Sequence, residues 1–281
     1  MRKFLFILFI LTNLKSISYS QQLKLKKNNN SIPASIFSKQ IADSVLPLFN
    51  REEIIYKAIK KGNIPDYLRK LVKISITDTL VNQPYTLDIF VLPDYLSIGT
   101  NEDYLYMPVT PILAQKIADL SHCSLPTKKL ADIIYQNAKI KLEPQPIPPT
   151  KAMTTVAVFE KHNLLVQDQL FGFNKAHLNS LLVAGNKKDI IISNKIYGEN
   201  SPRVVIYGWH KTDGKPIQPV YNKHSNTWAD YSHGLRLIQN KVYLNGKSTS
   251  LQKILADPVL SKLISDEGSI EKPFYPIFEK Y

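Results

Sequence analysis

Apolar residues at helical spacing in residues 36–50 and 51–61 predict two short helices, the second stopping at Gly62. Residues 72–79 and 85–93 are rich in β-branched and aromatic side chains on either side of Asn82-Gln83-Pro84, the pattern of a hairpin. A further strand is expected over 103–109, after the turn-like stretch 98–103. Thr110 followed by Pro111 opens a helix running to about Ser121, and Pro126-Thr127 opens another with Leu130, Ile133, Ile134 and Ala138 on one face. Cys123 falls between the two.

Residues 141–150 hold four prolines and predict a stiff, extended connection. Beyond it, 153–170 reads as a capped helix carrying His162, Asn163 and Gln167, followed by a loop through Phe173 and His177. Residues 187–196, 203–209, 231–238 and 241–246 are strand candidates, 212–219 is a turn, and 252–265 is a terminal helix before a proline-containing tail. The expected class is α+β: N-terminal helices and a small hairpin, then a mainly antiparallel sheet with flanking helices.

Residues 1–20 place Arg2 and Lys3 before an apolar run from Phe4 to Leu11 and small residues at 18 and 20, a secretory signal peptide cleaved near Ser20. The expected product is exported, periplasmic or extracellular, with a flexible lead-in over 21–34 and a single domain over 35–281. No other stretch is apolar enough to span a membrane. Removing residues 1–20 lowers the net charge only from +13 to +10, because three basic and no acidic residues leave with them. A positive field favours an anionic extracellular polymer or cell-wall fragment as partner, ahead of nucleic acid. Oligomeric state is not legible. The single cysteine excludes an internal disulfide framework.

Candidate chemistry gathers in 203–247, which holds both tryptophans and three of the six histidines. His233 stands at the start of a predicted strand, with Asp230 and Ser232 close enough to orient its ring. Cys123, ahead of a helix carrying Lys128 and Lys129, is a candidate nucleophile for which His233 would be the general base and Asn245 or Asp230 the orienting group. His210, His224 and His233, with Asp230, form a weaker zinc-site alternative; no cofactor is otherwise expected. Trp209, Trp228, Tyr207, Tyr221 and Tyr231, with Lys188, Asp189, His210, His224 and Arg236, would suit a wall for stacked sugars. Asp94, Glu102, Asp103 and Asp189 offer no carboxylate pair that spacing can select. The chain has no glycine-rich phosphate loop, no HExxH and no CxxC.

The order of Cys123 before an apolar helix, His233 at a strand start and Asn245 twelve residues on resembles the papain-like NlpC/P60 hydrolases of bacterial cell walls. It differs in having His122 and Leu125 where that family has an aspartate before and a glycine after the Cys-Ser pair. The resemblance implies a cysteine amidase or peptidase acting on peptidoglycan peptides. The segments LPTKK, KKDIIISN, YGWH and ADYSHGLRL also resemble a family of secreted bacterial proteins across nearly the whole mature length, which implies one folded unit and no particular activity. The expectation is therefore a secreted hydrolase of a cell-wall or other extracellular polymer; the rivals are a metal-dependent hydrolase and a non-enzymatic carbohydrate- or surface-binding protein.

Overall fold

A computed structural model describes residues 21–173 and 181–281, so the signal-peptide expectation and His177 lie outside the described residues. The first helical stretch breaks early. α1 (Ala34–Phe37) gives way to a 3-10 turn at Ser38–Gln40, and α2 (Leu48–Lys60) begins afresh after Pro47. Proline lacks the N–H a helix interior needs and disfavours helical geometry in the residue before it, so one helix across 36–50 cannot form.

β1 (Val72–Leu80) and β2 (Gln83–Val91) form the expected hairpin, in a register from Val72↔Val91 to Leu80↔Gln83. Its turn is Val81-Asn82, one step ahead of the expected position, with both residues at positive φ. Such a turn matches the twist of the two strands, but it strains a β-branched residue. Val81 is 74% exposed and makes up for none of this by packing. Val81→Asn should therefore raise the unfolding free energy by about 1 kcal/mol, read by urea denaturation; an unchanged midpoint would contradict the strain.

β3 (Ser97–Gly99) and β4 (Tyr104–Tyr106) pair as a small hairpin. α3 (Pro111–Leu120) is capped by Thr110 Oγ1, which accepts from Leu113 N at 3.3 Å; β5 (Cys123–Ser124) follows, and then α4 (Lys128–Asn137) is capped by Thr127 in the same way. β6 (Ile140–Lys141) runs parallel to β7 (Val183–Ala184), and α5 (Val156–Leu170) lies between them in sequence. Next come β8 (Lys188–Ile190), β9 (Ile206–His210), β10 (Pro216–Tyr221) and β11 (His233–Gly234), which form one four-stranded sheet in the order β10-β9-β8-β11. The expected turn over 212–219 is partly strand β10. It occupies the sheet edge, where Pro216 and Pro219 forfeit little ladder bonding.

β12 (Ile238–Gln239), β13 (Lys241–Leu244) and β14 (Lys247–Ser250) join β1, β2 and β5 in a six-stranded sheet, and α6 (Leu251–Ala256) closes the regular structure before a 3-10 turn at Leu260–Leu263. The architecture is α+β with mainly antiparallel sheets. Helices and strands are interleaved rather than segregated. No helix among the described residues is long and apolar enough to cross a membrane.

The single strand expected over 231–238 is two, and they belong to different sheets. Between them Arg236 turns inward, fully buried. It donates to Leu92 O (3.0 Å) and Val183 O (2.7 Å), and its guanidinium lies 4.1 Å from the Tyr95 ring centroid. Carbonyls from two distant segments thus hold the chain where it changes sheet. Gly234 permits the crossing, because a Cβ there would lie 2.5 Å from Tyr95 Cδ1 and 2.6 Å from Lys187 Cβ.

Candidate functional site

α5 carries His162 into the interior because its neighbour Asn163 docks the helix on β4, accepting from Tyr106 N and donating to Tyr104 O, both at 3.0 Å. Lys187, one residue before β8, meets it there. The residue is 1% exposed, and its Nζ lies 3.0 Å from His162 Nδ1 and donates to Tyr231 O at 2.6 Å. Among the described residues no carboxylate lies within ion-pair distance of it. Burial pushes its pKa down from 10.5 to about 7, against the pull of Asp230 and Asp94. Burial and the adjacent Lys187 also push His162 far below the usual imidazole range, so the ring is neutral. The other ring nitrogen, Nε2, is buried and has no hydrogen-bond partner among the described residues.

Asp230 sits in the turn leading into β11. Its Oδ1 accepts from Ser232 N (2.8 Å) and Ser232 Oγ (2.5 Å), and its Oδ2 accepts from Trp228 Nε1 (3.2 Å). Burial alone would raise its pKa, but His233, the Ser232 bonds and Lys188 outweigh burial and hold the carboxyl well below the usual range. His233 Nε2 lies 4.0 Å from Asp230 Oδ2, outside hydrogen-bond range, and neither ring nitrogen has a hydrogen-bond partner among the described residues. Burial pushes His233 down to about 4, so it too is a neutral ring at physiological pH.

Aromatic side chains wall this cluster. Tyr231 lies 5.0 Å from His162 and 6.3 Å from Trp209, centroid to centroid, and its hydroxyl is gripped by Ile147, accepting from the backbone N–H (2.7 Å) and donating to the carbonyl (3.0 Å). The proline-rich stretch therefore straps the site. Lys188 Nζ stands 4.9 Å from the Trp209 ring centroid, and Trp209 itself has φ +56°, a left-handed conformation that an aromatic residue rarely adopts. His224 and Trp228, both half-buried, stack at 4.8 Å with 15° between their planes.

Of the residues singled out by sequence, the structure gathers Lys188, Trp209, His224, Trp228, Asp230, Tyr231 and His233. Family models, curated proteins and solved structures were compared with the chain, and none matches. The cluster must be understood from its own geometry. His162 and Lys187 were missed as chemistry: one reads as an ordinary helix residue and the other as the first of a Lys-Lys pair. Their only sequence signal was the placing of that pair against the apolar run 190–192.

Cys123 is not part of the cluster. It is 1% exposed, pairs with Gln239 in the six-stranded sheet, and its thiol lies 3.5 Å from Ser121 O and 3.6 Å from Gln239 Oε1. Burial pushes its pKa up to about 12. A thiolate is therefore disfavoured, and α4 begins only after the Thr127 cap, too late for its N-terminus to act on the sulfur. Asn245, the proposed orienting residue, occupies the turn of the β13–β14 hairpin at φ +47°, exposed, with Oδ1 accepting from Thr86 N. Iodoacetamide should leave Cys123 unlabelled in the native protein and label it on unfolding. Cys123→Ala should cost about 1 kcal/mol of stability with no loss of activity; rapid native alkylation would contradict this placement.

The zinc alternative fails on geometry. Among the described residues no three His, Cys, Asp or Glu side chains are grouped to hold a metal ion. His210 is committed elsewhere, with Nε2 2.9 Å from Asp132 Oδ1 and its ring stacked 4.5 Å from Tyr135, in the wall of a polar pocket of about 210 Å³. Arg236 serves the sheet crossing rather than a ligand. Asp94 and Asp189 are each tied to a tyrosine hydroxyl, from Tyr106 (2.5 Å) and Tyr95 (2.9 Å) respectively, and burial raises both, Asp189 to about 6.

Proposed function

We propose that the protein is an exported hydrolase of an extracellular polymer, with its acid–base centre at Lys187, His162, Asp230 and His233 rather than at Cys123. One observation carries this reading: a fully buried lysine poised near neutrality, with no carboxylate partner among the described residues, and hydrogen-bonded to a histidine whose other nitrogen has no partner among them. Groups perturbed in this way concentrate where proton transfer is needed at working pH.

With Lys187 as the free amine, its lone pair accepts from His162 Nδ1–H, leaving Nε2 as an acceptor. A water bound there gives its proton to Nε2 as it attacks the substrate carbon, while the Nδ1 proton passes to Lys187. The imidazole changes tautomer without ever carrying charge, which suits a ring whose protonation burial strongly disfavours. Reversal of the relay returns the proton to the leaving group. His233, a buried neutral ring, offers an N–H toward charge developing in the transition state.

The test is a screen of the purified protein on peptidoglycan and acidic polysaccharides, scoring released reducing ends and amino groups. Wild-type and Cys123→Ala protein should release product alike, and Lys187→Met should not. Release that depends on Cys123 but not on Lys187 would overturn the proposal.

A further inference from the structure

Hydrogen-bonding capacity in the cluster is lopsided. Trp209 Nε1 is always a donor, is buried, and has no acceptor among the described residues. Neutral His233 brings one more N–H with no acceptor among the described residues. Lys188 forms no ion pair among the described residues, and it is the register partner of His233 across the parallel β8–β11 pair, so the two side chains leave neighbouring strands on the same face. Lys188 Nζ also overhangs the Trp209 ring. The nearby carboxylate, Asp230, already accepts three bonds from Ser232 and Trp228. Buried donors without acceptors are costly, and an ionised acceptor compensates them best.

We infer that Lys188, Trp209 Nε1 and His233 form a subsite for the carboxylate of an acidic sugar, so that the polymer is a uronate-bearing polysaccharide. This rests on the site assignment above and names the substrate for it. The saccharide half of the inference comes from the half-exposed, parallel His224–Trp228 stack. It supplies a flat aromatic face beside the donors, and Trp228 is tied to the same Asp230. A peptide carboxylate would need the donors and would have no use for that face.

The protein has two tryptophans, so an amide correlation spectrum of ¹⁵N-labelled protein shows two indole N–H signals, and Trp228→Phe identifies that of Trp209. Titration with methyl glucuronide should shift the Trp209 signal, with at least tenfold tighter binding than methyl glucoside, which has the same ring without the charge. Lys188→Gln should weaken glucuronide binding about tenfold and Lys188→Arg should restore most of it, while neither changes the weak glucoside response. Equal affinity for the two sugars, a silent Trp209 signal, or a response to N-acetyl-alanine but not to glucuronide would each overturn the inference. Lys187→Met separates the two claims: it should keep glucuronide binding while losing turnover. Turnover of polymer without a carboxylate preference would sink the subsite and leave the acid–base centre standing.

Discussion

Lys187→Met should lower turnover by about 10²–10⁴-fold, the range typical of losing a general acid–base group, while making the folded protein more stable at neutral pH. The two effects have one cause. A lysine enclosed with no carboxylate partner among the described residues strains the fold, and an apolar side chain of similar length removes the strain together with the proton relay. The sign of the pH dependence follows from linkage. The folded-state pKa of Lys187 lies near 7 and the unfolded value near 10.5, so between them the unfolded chain binds the extra proton and wild-type stability gains as pH rises. The variant's advantage should therefore be greatest at and below pH 7 and vanish by about pH 10.5, as read from urea midpoints across that range. An advantage independent of pH would mean that Lys187 is charged in the native state throughout.

Gly234→Ala should be strongly destabilising. The added methyl would meet the Tyr95 ring at 2.5 Å and the Lys187 Cβ at 2.6 Å, neither of which is the free end of a flexible side chain. Relief requires displacing Tyr95, and with it the Arg236 stacking and the Tyr95 bond to Asp189. Overpacking of this kind costs about 3 kcal/mol or more, which for a chain of this size lowers the melting temperature by roughly 6–12 °C. Tyr95→Val on the same background makes room for the methyl and should recover part of the loss. A Gly234→Ala protein melting like wild type would show that β11 and Tyr95 are less closely apposed.

What was legible in the sequence was local. Thr110-Pro111 and Pro126-Thr127 announced α3 and α4 because a cap and a fixed φ act within four residues. The first hairpin was legible from its β-branched and aromatic runs, though Val81 hid the position of its turn by occupying a conformation that favours glycine or asparagine; β3 and β14, too short to show a pattern, were not. The break in 231–238 was not legible, because it is fixed by carbonyls of Leu92 and Val183, 144 and 53 residues from Arg236. About half of the site emerged as the Trp- and His-rich stretch, since 209–233 folds into neighbouring parts of one sheet and its turns. Its centre did not, because Lys187 and His162 take their chemistry from being buried together, and burial is set by the packing of α5 against β4. Cys123 misled for the same reason: a lone thiol upstream of a helix looks activated until the core closes over it.

The most direct test of the account is the titration of the lysine side chains in the native protein, followed through ¹³Cε shifts. One lysine should titrate near pH 7, well apart from the rest, and its signal should be missing in Lys187→Met. If every lysine titrates above pH 9.5, Lys187 is an ordinary ammonium and the acid–base centre proposed for this protein does not exist.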